Sequence, residues 1–172
     1  MNNGKNIKMY KFWKGFFLRV IAILIIFSYF KNNYAINITN SIDRGIYKLQ
    51  PVDNISKGDI VVFTVSDELS NDMLNKGYLN KYTKSLIKIV AGMEGDVIEI
   101  GDKLVINGEV IKEKLYKKDS LGKDLPLKEG KYILKENEYF VIGTHERSFD
   151  SSYIGAIKKD QIKNKAKLEI KF

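Results

Sequence analysis

Three short segments, far apart in the chain, carry residue types that together could perform acyl transfer. Ser41-Ile42-Asp43-Arg44-Gly45-Ile46-Tyr47 offers a serine hydroxyl just before a turn. Leu86-Ile87-Lys88-Ile89-Val90-Ala91-Gly92-Met93-Glu94-Gly95-Asp96 offers a lysine inside an apolar run. Gly143-Thr144-His145-Glu146-Arg147-Ser148-Phe149-Asp150-Ser151-Ser152-Tyr153-Ile154-Gly155 is a polar loop of small residues able to buttress both. A lysine amine held neutral can take the proton of a serine hydroxyl, a Ser/Lys dyad in place of Ser/His/Asp.

Each segment also has a plainer reading. Asn40-Ser41 ahead of Asp43-Arg44-Gly45 is locally a turn. A lysine between two isoleucines on a strand ordinarily faces solvent while its neighbours face the core. The chemistry requires Lys88 to look instead into a dry cleft, where desolvation disfavours the ammonium. His145, Ser148 and Asp150 suggest a triad, but three residues so close on one loop are poorly placed to line up as base, nucleophile and orienter. They read better as support, with Ser148 holding the lysine amine and Asp150 fixing the loop through charged hydrogen bonds.

The elements that must position these groups are mostly strands. Residues 59–65, 86–90, 96–100, 139–142, 154–157 and 166–172 are apolar or alternating runs bounded by turn residues. Residues 103–111 read as a hairpin, with Asn107-Gly108 as a type I′ turn. Residues 66–79, with early acids and a late glycine, suggest a short helix, the core of an insertion over 66–84. Residues 112–130 are charged and poor in apolar side chains, as in an exposed excursion between strands. The expected fold is mainly β, a coiled antiparallel sheet or partial barrel with one helical insertion.

The net charge of +8 is concentrated at one end. Residues 1–34 hold Lys5, Lys8, Lys11, Lys14, Arg19 and Lys31 and no acid. The remainder holds 23 basic and 21 acidic residues, which argues against a nucleic-acid partner for the globular part. Without cysteine, disulfides, thiolate nucleophiles and thiolate metal sites are excluded, and a single histidine disfavours a His-rich zinc site. No metal or cofactor is expected.

Residues 12–30 are largely apolar and aromatic, and 19 helical residues reach roughly 28 Å, about the thickness of the hydrocarbon layer. Trp13, Phe16, Phe17, Tyr29, Phe30 and Tyr34 flank the run as interfacial aromatics do. Lys31-Asn32-Asn33-Tyr34-Ala35 offers no clean cleavage site, so an uncleaved anchor is favoured over a signal peptide. The expected division is a basic cytoplasmic segment over 1–11, an anchor in the cytoplasmic membrane over 12–30 and an external domain over 31–172. Ser41 follows the span by 11 residues, so an extended linker would hold it within about 40 Å of the membrane face.

Taken together, the three segments resemble the type I signal peptidases, whose boxes read approximately Ser-Met-x-Pro-Thr, Lys-Arg-Val-x-Gly-x-Pro-Gly-Asp and Asn-Ser-x-Asp-Ser-Arg-x-x-Gly. They look closest to the conjugative-transfer branch, which matures pilin-like precursors and carries Ser-x-Pro-x-Gly-x-Tyr and Thr-His followed by Ser-x-Asp. Gly77-Tyr78-Leu79 also resembles an insertion of that branch. The resemblance covers residues 37–160. It implies Ser41 as nucleophile, Lys88 as general base, Thr39 as the hydroxyl of the oxyanion hole, Ser148 as the residue that orients the lysine and Asp150 as the loop-stabilising carboxylate. Its substrates would be exported precursors.

Three positions depart from the pattern. Asp43 and Glu94 replace prolines, and Ser152 stands where an arginine usually pairs with the loop aspartate. Asp150 then needs another cation, with Arg147 the candidate. A self-cleaving Ser/Lys autoprotease of the repressor type is the second reading, although residues 1–34 are too short and apolar for its DNA-binding domain. A membrane-tethered binding module with a degraded site is the third.

Overall fold

The computed structural model describes residues 3–77 and 85–172. Helix α1, Asn3–Asn33, is uninterrupted by proline. Its segment Met9–Asn33 is long and apolar enough to cross a membrane, with a mean hydropathy of 1.7, and is not buried against the rest of the chain. It is a candidate anchor.

The helix leads straight into strand β1, Tyr34–Asn37, and Phe30 stacks on Tyr34 with ring centroids 4.9 Å apart. The free linker expected after residue 30 is therefore replaced by a last helical turn and a strand. β1 pairs with β2, Gly45–Gln50, and the two enclose the segment that carries Ser41.

The remaining elements are β3 (Ile60–Phe63), α2 (Asp67–Asn75), β4 (Leu86–Gly92), β5 (Val97–Ile100), β6 (Leu104–Ile106), β7 (Glu109–Lys112), β8 (Gly130–Ile133), β9 (Glu138–Ile142), α3 (Ser151–Ile154), β10 (Ile157–Lys158) and β11 (Ile162–Lys171). They form two antiparallel sheets, one ordered β1-β2-β11-β3-β4-β9-β10 and the other β7-β6-β5-β8. The mainly β architecture, with few helices and an apolar N-terminal helix, agrees with the sequence reading.

The hairpin is as expected. Asn107 and Gly108 have φ of 52° and 84°, the pair of positive values that a type I′ turn requires. Helix α2 occupies the expected helical stretch, and Gly77 follows it at φ 79°, whereas residues 78–84 of the proposed insertion, with Tyr78 and Leu79, lie outside the described residues.

Other expectations need correction. Residues 154–157 do not form a strand throughout. Asp150 accepts a hydrogen bond from Ser152 N and starts the short helix α3, which Gly155 ends at φ 84°, leaving only Ile157–Lys158 extended. The charged stretch 112–130 is not merely an exposed excursion. Leu115 is buried, Lys128 N donates to Ser152 O, and Tyr116 exchanges hydrogen bonds with the Tyr153 hydroxyl. Its charge pattern is that of a surface loop, but its ends fold against the third polar segment.

Three apolar clusters organise the molecule. One gathers Val61, Phe63, Val90 and Val141 from the central strands. A second packs Ile98, Leu104, Leu134 and Phe140 beneath the four-stranded sheet. A third seats Ile42 and Tyr47 against Ala166, which pins the serine segment to the large sheet.

Close approach of β11 explains the glycine that opens β2. A Cβ on Gly45 would overlap the backbone oxygen of Ile170, an atom that cannot swing away. Gly45→Ala should lower unfolding stability by about 2 kcal/mol through this overpacking, measured by chemical denaturation; an unchanged midpoint would show that the β2–β11 contact yields.

Candidate active site

Lys88 sits on β4, between β3 and β9 in the middle of the large sheet. Alternation along the strand places Lys88 on the same face as Val90, and only 4% of its surface remains exposed. Ile87 and Ile89 pack on the opposite face against the third cluster. The ordinary expectation of a solvent-facing lysine thus fails, because both faces of this strand are covered. Burial pulls the Lys88 amine down to about 8, while the Asp150 carboxylate acts upward and the Lys112 ammonium downward.

Ser41 lies in the turn between β1 and β2, and one buried side chain organises that turn. Asn37 Nδ2 lies 3.1, 3.1 and 3.0 Å from the carbonyl oxygens of Thr39, Ile42 and Asp43, to which it donates. Its Oδ1 accepts from Thr39 N at 3.1 Å and from Thr39 Oγ1 at 2.8 Å. The Tyr47 hydroxyl donates to Asp43 O at 2.6 Å. Thr39 Oγ1 in turn lies 3.0 Å from Ser41 Oγ. Sequence reasoning missed Asn37; the only signal was an Asx-type residue at the mouth of a turn.

The third segment is tied to the serine by backbone. Thr144 N donates to Ser41 O at 2.7 Å. Gly143 makes this approach possible, since a Cβ there would overlap both Ser148 Oγ and Ser41 O. Asp150, fully buried, gathers the loop: Oδ2 accepts from Gly143 N at 3.0 Å and from Lys112 Nζ at 2.6 Å, and Oδ1 from Ser152 N at 3.2 Å. The cation on Asp150 is therefore Lys112, from the other sheet, and not Arg147, whose guanidinium lies 4.1 Å over the Tyr116 ring.

Ser148 Oγ is buried without a hydrogen-bond partner, as is Ser152 Oγ. His145 is exposed and its Nδ1 accepts from Arg147 N, so His145, Ser148 and Asp150 are not linked as a triad. Glu94 is exposed at the turn after β4, and Asp43 is exposed and ion-paired with Lys171 at 2.9 Å. Neither substituted proline position obstructs the site.

Ser41, Thr39, Lys88 and Ser148 line one open groove of about 630 Å³. Ile36, Ile38, Met73, Leu86 and Ile87 give it an apolar wall. A hydroxyl held beside a second hydroxyl, with a depressed lysine amine on the same groove, is an arrangement suited to acyl transfer on an extended apolar peptide. Among the described residues, no three imidazole, thiolate or carboxylate groups converge as around a metal ion.

A family model described as signal peptidase, peptidase S26, matches residues 9–170. The chain belongs to this family. Membership supports a signal peptidase function, that of a hydrolase acting on exported precursor proteins. Among solved structures, signal peptidase I from Enterococcus faecalis V583 is similar at 22% identity and a TM-score of 0.41, covering 67% of this chain and 98% of that one. No curated protein matches.

Two outcomes follow from the packing. Gly143→Ala should cut peptidase activity by about 100-fold, because about 1 Å of displacement at a reacting group can cost that much; activity within twofold of wild type would show that the loop adjusts freely. Lys88 also bears on stability. Between about pH 8 and 10.5 the unfolded lysine keeps its proton while the folded one loses it, so stability rises with pH across that window and is lowest below it. Lys88→Met should therefore raise stability by about 2 kcal/mol at pH 7 and flatten this rise, measured by denaturant titration at pH 7 and 10; a destabilised variant would contradict the cost assigned to the buried amine.

Proposed function

We propose that the chain is a membrane-anchored endopeptidase that cleaves exported precursors with a Ser41/Lys88 dyad. The observation that carries this reading is the shared groove, in which a desolvated lysine and a hydroxyl-supported serine face the same space. Neutral Lys88 takes the Ser41 proton, and Oγ attacks the scissile carbonyl. The Ser41 amide and the Thr39 hydroxyl receive the oxyanion, for which Thr39 turns its hydrogen away from Asn37 Oδ1. The Lys88 ammonium then donates to the leaving amine, and water activated by Lys88 hydrolyses the acyl-enzyme. Ser148, with its unengaged buried hydroxyl, is assigned to orient the amine, and Asp150 to hold the loop.

In this reading residues 1–11 are cytoplasmic, 12–30 cross the cytoplasmic membrane once and 31–172 form the external catalytic domain. The basic excess before the span supports that orientation. The candidate helix runs into β1 without a loop, which supports a groove held close to where a precursor's own apolar segment would emerge. Lipid would contact α1, and the substrate would present small residues in an extended stretch. The chain's substrates are signal peptides or pilin-like precursors, and the resemblance of the serine segment and the Thr-His loop to the conjugative-transfer branch supports the pilin-like ones as preferred.

Membranes containing the full chain should cleave a pilin-like precursor in preference to a general secretory precursor. Ser41→Ala and Lys88→Ala should each lower the rate by about 10⁴-fold or more, as read by gel shift of the mature product. Wild-type kcat/KM should climb as pH rises through about 8, when the amine becomes neutral. Variants that cut as fast as wild type would refute the dyad. A preference for the secretory precursor would refute the conjugative assignment alone. Precursor binding without cleavage would favour the tethered binding module.

A further inference from the structure

Lys112 has no counterpart among the residues that the resemblance assigns, yet it reaches the loop that supports the site from the other sheet. Its side chain is 8% exposed and its ammonium lies 2.6 Å from Oδ2 of fully buried Asp150. It ends β7, where the pairing with β6 slips between Leu104 and Val105. Ser152, the position at which an arginine was expected, contributes only its backbone N–H to Asp150 and leaves its hydroxyl without a partner. The charge partner of Asp150 is thus supplied by a different element of the fold.

This pairing matters beyond the loop. The Asp150 carboxylate, bound to Gly143 N beside the groove, is near enough to act on Lys88, and a buried carboxylate alone would stabilise the Lys88 ammonium. Among the described residues, Asp150 is the carboxylate that acts on Lys88. The pairing partner of Lys88 on β3 is Val61, on β9 Ile142 and Val141 pair with the following residues Ile89 and Val90, and the turn between β1 and β2 brings the hydroxyls of Ser41 and Thr39 to the same groove. His145 and Arg147 line the same groove from exposed positions. Lys88 therefore responds chiefly to burial, to Asp150 acting upward and to Lys112 acting downward.

We infer that Lys112 is a positioning residue for the reaction: paired with Asp150, it cancels the carboxylate's charge beside Lys88 and so keeps the Lys88 amine available as a base. The inference rests on the Ser41/Lys88 reading. Lys112 touches no reacting atom and acts through Asp150, whose grip on Gly143 N also keeps the loop against Ser41.

The test is the pH profile of kcat/KM for the full chain in lipid vesicles, using an internally quenched peptide with an Ala-x-Ala segment. Lys112→Met should move the acid limb up by about one pH unit, a loss of about tenfold at pH 7, and Lys112→Arg should leave the limb in place. Asp150→Asn should move the limb down, since Lys112 then acts unopposed. The double variant Lys112→Met/Asp150→Asn should return the limb to its wild-type position whatever its rate, and it decides the matter if Lys112→Met alone does not fold. A limb unmoved by Lys112→Met, or displaced in the double variant, overturns the inference while leaving the dyad standing. A wild-type profile flat through pH 8 overturns the dyad, and the inference with it.

Discussion

A lysine amine buried on the core face of a central strand is the constraint around which this site is built. In water an amine is almost wholly protonated at neutral pH and is no base; with most of its surface removed from solvent, Lys88 is pulled down to about 8, so a far larger share of it is neutral near that pH than of an ordinary lysine. The same burial works against folding, so the surroundings must hold the amine without re-protonating it. The fold meets this by covering both faces of β4, by bordering the amine with the groove, and by matching the Asp150 carboxylate with a second lysine. Reactivity and packing are here two consequences of one placement.

The serine side is organised by hydrogen bonds where the family pattern relies on a proline. Proline would pre-set the turn after the nucleophile through its fixed φ. In this chain Asp43 stands there, and the turn is held by three carbonyls converging on Asn37 Nδ2, by the Tyr47 hydroxyl on Asp43 O and by Ile42 sunk into the core. The departure in sequence is compensated by a network from β1 and β2, which also join the site to the candidate anchor.

The residues proposed to react and most of the sheet were legible in the sequence. Ser41, Lys88 and the third loop stand out as types at ordered spacing, and the runs over β3 to β6, β9 and β11 carry the alternation or β-branching of strands. What was not legible depends on long-range contact. Asn37 looks like any turn residue until its amide is seen between three carbonyls. Lys112 looks like one more charge in a charged stretch, because nothing local shows that β7 ends over Asp150. β1 and β2 were missed since their inward residues, Asn37, Gly45 and Tyr47, give little apolar signal. Residues 151–154 were read as loop and strand because the cap that makes them helical depends on a carboxylate already committed to the site.

The central claim is that Lys88 is neutral under conditions in which an ordinary lysine is charged. Its direct measurement is the rate of reductive methylation of Lys88 as a function of pH, followed by peptide mass spectrometry on the folded full chain with surface lysines as internal references. The Lys88 profile should reach its midpoint near pH 8 while the references follow the usual value of about 10.4. A Lys88 midpoint coinciding with the references would contradict the account, and the groove would then lack its base.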